Sequence, residues 1–120
     1  MADVKKSTVA GMLEIAAGVI ALVAGFMLLL VGLVGGGVLS ATVPEHLEAL
    51  AALPVALFVP LAALHFIAGV VAIAGGFAAL QGAWWWLAVV GSVAALVCFF
   101  PLGIVAMILI ALSEREFSRN

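Results

Sequence analysis

Four glycines, Gly11, Gly18, Gly25 and Gly32, recur at a strict interval of seven inside the apolar run from Val9 to Val34. A seven-residue step returns to nearly the same face of a helix every two turns, drifting by roughly 20° per repeat. The four glycines therefore draw one bare stripe along one side of a long helix. In water such a helix is poorly favoured, because each internal glycine costs about 1 kcal/mol relative to alanine. In lipid the stripe has a use. No hydrophobic effect drives helices together there, and close backbone approach at small residues does so instead. The stripe constrains the chain to an all-α, tightly packed membrane helix bundle.

Composition points the same way. Of the 120 residues, 68% are hydrophobic and only 8% are charged. A soluble domain carries about 25% charged residues, so this chain lacks the polar residues to cover a water-facing surface. A transmembrane helix takes about 20 apolar residues. The length then admits a single transmembrane domain, with expected spans at about 9–36, 58–81, 83–99 and 101–115 and an outer loop at 40–57. Nucleic acid is excluded as a partner, since the net charge is −2 and no basic patch is present. A lone cysteine, Cys98, cannot form an intramolecular disulfide; it reads as a small packed residue, with lipidation as the alternative. Lys5 and Lys6 ahead of an apolar run also suit a secretory signal. The run from Val9 to Leu39 exceeds a signal core of roughly 7–15 residues, and an opening Met1 goes with an uncleaved first span.

Taken in order, Ser7 or Thr8 is expected to cap the first helix, and Gly35, Gly36 and Gly37 to end or bend it. Thr42, Pro44 and Glu45 read as the start of a short amphipathic helix carrying Leu47, Leu50 and Leu53 at the membrane surface. Pro54 is expected to end or redirect it, and Pro60 to fall in the first turn of the second span. Gln81 and Gly82 form a tight connection to a third span that opens on Trp84, Trp85 and Trp86. Pro101 and Gly103 turn the chain into the fourth. A competing reading makes the last two spans one long helix kinked at Pro101. Charge decides against it. All four basic residues, Lys5, Lys6, Arg115 and Arg119, lie at the ends of the chain. The positive-inside rule then places both termini in the cytoplasm and requires an even number of spans.

An internal repeat joins the first two spans. Leu13 to Phe26 aligns with Leu64 to Phe77 at an offset of 51, with 7 of 14 positions identical. Gly18 falls on Gly69 and Gly25 on Gly76. Both helices thus present small residues every seven positions, which suits a left-handed packing of stripe on stripe.

Few residues offer chemistry. Glu14 lies about 10 Å into the first span by helix rise, and an acid at such a position is a functional hypothesis by default. It reads either as a proton, cation or partner site, or as an interfacial carboxyl bonded to Gln81, a tryptophan or a basic terminus. His65 takes the equivalent place in the repeat, but on an antiparallel helix, so the two should lie toward opposite sides and not pair. It reads as a neutral histidine bonded to its surroundings or as a relay. Trp84, Trp85 and Trp86 cover about 200° of a helix and read as interfacial anchors. His46 with Glu45 and Glu48 is too sparse for a metal site. No nucleotide, haem, metalloprotease or nucleophile motif is present, so no enzyme activity and no cofactor are expected. A bound lipid or other apolar ligand would leave no motif.

Several phrases carry a family likeness: Gly75-Gly76-Phe77-Ala78-Ala79-Leu80, the three tryptophans, Phe99-Phe100-Pro101-Leu102-Gly103-Ile104, and Ser113-Glu114-Arg115-Glu116-Phe117. In these the chain resembles small prokaryotic four-span membrane proteins of the DUF4064-like type. The likeness covers most of the chain in layout, and the phrases quoted make up about a sixth of it. It implies the four-span topology in a prokaryotic inner membrane and lends no activity. The expected role is non-enzymatic assembly, as a homo-oligomer or as an accessory subunit of a larger membrane complex. The alternative is a small channel or transporter using Glu14, His65 or both.

Overall fold

The computed structural model describes residues 5–117, apart from the side chains of Cys98, Leu102 and Glu116. The readings of Cys98 as a packed residue and of Arg119 as a terminal charge lie outside the described residues. The described chain is all-α. It runs α1 (Lys6–Thr42), a 3-10 helix (Glu45–Ala52), α2 (Leu53–Gln81), α3 (Trp85–Cys98) and α4 (Phe100–Leu112), and closes on a 3-10 turn at Glu114–Glu116. Two helical stretches, Lys6–Thr42 and Glu45–Gln81, are long and apolar enough to cross a membrane.

α1 continues for 37 residues, straight through Gly35, Gly36 and Gly37, to a cap at Val43. The helix does not end at these glycines. Gly36 packs against Ala51 and Val55, and Gly35 against Pro54, so tertiary contacts outweigh the low helix propensity of glycine. The expected hydroxyl cap is also absent. Lys5 holds the N-cap position without a side-chain bond, and its carbonyl accepts from the amides of Thr8 and Val9. The Thr42 hydroxyl turns back to the Val38 carbonyl at 2.9 Å. It belongs to the end of α1 and does not start the next element.

The expected 40–57 loop is mostly helical. Its short helix is of the 3-10 type, with Pro44 at its start. The spacing of its leucines explains the type. Leu47 and Leu50, with Leu53 at the start of α2, step by three, and three residues make one turn of a 3-10 helix, so the leucines align. Pro54 does not end an element but sits in the first turn of α2. Pro60 therefore falls inside α2, where it removes one backbone bond. At the other end Gly82 caps α2 at φ 65°, its amide reaching back to Ala78 and Ala79.

α1 and α2 form an antiparallel hairpin in which stripe meets stripe. A Cβ placed on Gly11 would lie 2.6 Å from the Gly76 carbonyl oxygen, and one on Gly18 would lie 2.7 Å from that of Gly69. Further along, Gly25 faces Ala62 and His65, and Gly32 faces Pro54 and Phe58. α3 and α4 form a second, much shorter hairpin. It packs on one end of the first through two clusters: Ala10, Ala79, Ala88, Ile110 and Phe117, then Ala17, Ala72 and Ala95. The two short helices are separate, with Phe99 in extended conformation between them, so the continuous kinked helix is not formed. The molecule is accordingly long and narrow, 65 × 28 × 17 Å. It is four helices thick at one end and two at the other.

Candidate functional site

The four-helix end is built around Glu14. Glu14 is fully buried, and among the described residues neither carboxyl oxygen has a hydrogen-bond partner. Three helices make the space it fills. Gly75 of α2 and Gly91 of α3 meet backbone to backbone: a Cβ on Gly75 would lie 2.5 Å from the Gly91 Cα, and one on Gly91 would lie 2.6 Å from the Gly75 Cα. The same two hypothetical carbons would lie 2.8 and 2.6 Å from Glu14 Oε2. The carboxyl thus points from α1 into the place where two other helices have no side chains. Glu14 begins eight residues after the start of α1, about 12 Å along the axis.

Among the described residues, the helices packed against it place no charged side chain beside it. The titratable side chain of α2 is His65, ten residues from Gly75, or about 15 Å along the helix. In α3 it is Cys98, seven residues from Gly91, and α4 has none. Ser92 is fully buried next to Gly91, but its hydroxyl donates to its own helix at Val89, 2.7 Å away. The interfacial reading of Glu14, with bonds to Gln81 or a tryptophan, is not the geometry found. The site consists of one carboxyl, apolar walls and tight glycine contacts. That set can hold a proton or make one strong bond to an incoming group, but among the described residues no three metal-ligating side chains gather anywhere.

His65 is brought to a different place. It is half-buried beside Gly25, eleven residues along α1 from Glu14, or about 16 Å. Its Nδ1 lies 2.9 Å from the carbonyl oxygen of Leu61 on its own helix. The repeat that matches the two residues does not unite them.

The three tryptophans divide. Trp84 and Trp86 are 54% and 59% exposed and stack on each other, with ring centroids 6.4 Å apart and planes 17° from parallel. Trp85 turns inward, and its Nε1–H donates to the Ile110 carbonyl at 3.1 Å. That same carbonyl accepts from the hydroxyl and the amide of Ser113. Trp85 thereby ties the start of α3 to the end of α4. Trp84 itself holds a left-handed conformation, φ 54°, which is unusual for a bulky residue and closes the turn begun at Gly82.

All six stripe glycines, Gly11, Gly18, Gly25, Gly32, Gly69 and Gly76, are buried, and the stripe of α1 is covered by α2. It is not a free face for another chain. Sequence reasoning gave no packing role to Gly75 or to Gly91, the contact opposite it. A signal existed in the doublet Gly75-Gly76. Adjacent residues lie about 100° apart on a helix, so two bare neighbours serve two different partners: Gly76 meets α1 and Gly75 meets α3. Comparison with protein-family models, curated proteins and solved structures finds no match for this chain.

Proposed function

We propose that the chain is a non-enzymatic integral membrane protein acting through assembly, as a homo-oligomer or as an accessory subunit of a larger membrane complex. Its helices lie in a prokaryotic inner membrane as a left-handed bundle, with both termini on the cytoplasmic side where the basic residues cluster. Membrane embedding is supported by how little the long helices are covered: only 28% and 22% of their most apolar windows are buried within the protein, whereas a soluble core helix would be buried throughout.

One observation carries the assembly reading. From Val9 to Leu39 the first helix is apolar for 31 residues apart from Glu14, about 46 Å at helical rise, against a hydrocarbon core of about 30 Å. Such a mismatch favours association, since neighbours share the deformed lipid. Native mass spectrometry of the protein gently extracted from its own membrane tests this. A homo-oligomeric mass or a defined set of foreign subunits is expected, and a bare monomer would overturn the reading.

A second reading has its own observation, the unpartnered carboxyl of Glu14. A buried acid without a partner is costly and persists where it has a use, which favours a small channel or transporter with Glu14 in the pathway. Glu14→Gln separates the two. Loss of proton or cation flux into vesicles with assembly intact supports transport; loss of assembly with no flux in the parent protein supports the assembly role.

A further inference from the structure

We infer that the α3–α4 hairpin does not cross the membrane: it enters from the cytoplasmic side, turns at Phe99 in the hydrocarbon and returns. This rests on the membrane reading above and adds a surface to it, a hairpin tip whose partner is lipid acyl chain.

The lengths come first. α3 has 14 residues and α4 has 13, about 21 and 20 Å at helical rise, short of a core of about 30 Å. α1, with 37 residues, extends about 55 Å beside them. The packing register fixes where the tip stands. Ala95 of α3 packs with Ala17 and Ala72, and Phe99 follows one turn later. The tip therefore lies level with about Ala21, fifteen residues into α1 and short of its midpoint.

The chemistry of the turn agrees. Val97 to Gly103 contains no charged residue and no hydroxyl or amide side chain. The connections at the ends of the molecule are different: Ser40, Thr42, Glu45, His46 and Glu48 lie at the two-helix end, and Gln81, Ser113, Glu114 and Arg115 close the other. A turn in water would be expected to carry such groups. Here the turn exposes Val97 at 57%, Phe99 at 39% and Phe100 at 65%.

In hydrocarbon, where unpaired amides and carbonyls are expensive, the connecting residue leaves neither of its own groups open. Phe99 is the one residue between the two helices. Its N–H donates to Ala95 at 2.7 Å, and its carbonyl accepts the Gly103 N–H at 3.0 Å. Pro101, in the first turn of α4, brings no N–H. Gly103 lets the arms close at once, since a Cβ there would collide with the Leu96 backbone. The chain reverses with one non-helical residue and with both polar groups of that residue bonded inside the hairpin.

Single cysteines in a Cys98→Ser background test this in sealed vesicles of known orientation, with a membrane-impermeant maleimide. Ser40→Cys is expected to label only from outside, Glu114→Cys only from inside, and Phe100→Cys from neither side until the membrane is dissolved. Phe100 is exposed, so its replacement leaves the packing intact. A nitroxide on Phe100→Cys should meet oxygen and escape a water-soluble nickel chelate, at mid-bilayer depth. Labelling of Phe100→Cys from outside, or a nitroxide at the outer interface, would overturn the half-crossing alone and leave four full spans. Labelling of Ser40→Cys from the same side as Glu114→Cys would overturn the membrane-crossing reading, and the half-crossing with it.

Discussion

The carboxyl of Glu14 occupies space that only glycine at 75 and 91 leaves open, and it gains no hydrogen bond there. Burying a polar group without a partner costs roughly 1–3 kcal/mol by mutational measures. Methionine has nearly the same length and no such cost. Glu14→Met is therefore expected to raise stability by about 1–3 kcal/mol, read as a later midpoint in detergent-titrated unfolding followed by helical circular dichroism. A fall in stability would mean that the carboxyl is satisfied in the membrane by a water or ion. The glycines provide a paired comparison on the same assay. Gly91→Ala drives a methyl into the Gly75 backbone and should cost about 1–3 kcal/mol, the range for overpacking. Gly37 has nothing within 4 Å of its hypothetical Cβ, so Gly37→Ala should be neutral or gain up to about 1 kcal/mol from helix propensity. Equal effects at the two positions would show that the α2–α3 contact is not as close as described.

Among the elements, the short hairpin hangs on few polar contacts. Trp85→Phe keeps the ring and removes the N–H that reaches the Ile110 carbonyl. The carbonyl retains its two donors from Ser113, so no acceptor is orphaned and the cost should be about 1 kcal/mol. Because that bond joins α3 to α4, exchange of the α4 amides should quicken more than that of α1. Uniform exchange throughout would remove the strut role from Trp85. The elements also divide by how well the sequence announces them. The seven-residue glycine interval is a periodic signal, and it foretells a helix and the face that packs. The Gly35 to Gly37 triplet is a local signal, and it misleads because Pro54 and Val55, each 19 residues beyond the glycine it meets, pack against it. The offset of 51 between the repeats matches Glu14 to His65, and the antiparallel course of their helices, expected from the sequence, keeps the two apart. The pocket around Glu14 was legible only as one acid in an apolar run. Its other walls are glycines, which state where a side chain is missing and not what fills the gap.

For the whole molecule the governing quantity is length. One end is four helices thick and the other two, while the apolar part of α1 is about 46 Å long by helical rise. Tilt alone does not absorb this. Fitting about 46 Å into a core of about 30 Å needs a tilt of roughly 50°, beyond the usual range of about 0–40°. If α1 crosses a membrane as proposed, the remainder would deform the lipid, and that deformation is smaller where molecules share it. Association should therefore depend on bilayer thickness in a definite direction. Energy transfer between donor- and acceptor-labelled copies, reconstituted at fixed density in phosphatidylcholines of increasing chain length, is expected to be strongest in the thinnest bilayer and to decline as thickness approaches the apolar length. The short hairpin sharpens the expectation. A half-crossing α3–α4 unit makes no demand on the outer leaflet, so the mismatch belongs to α1 and α2, and replacing Phe99 and Phe100 at the tip should leave the thickness dependence unchanged. Transfer that is independent of thickness would leave assembly to specific side-chain contacts. Transfer that rises with thickness would mean that the molecule is short for its membrane, which the length of α1 forbids if the helix crosses intact.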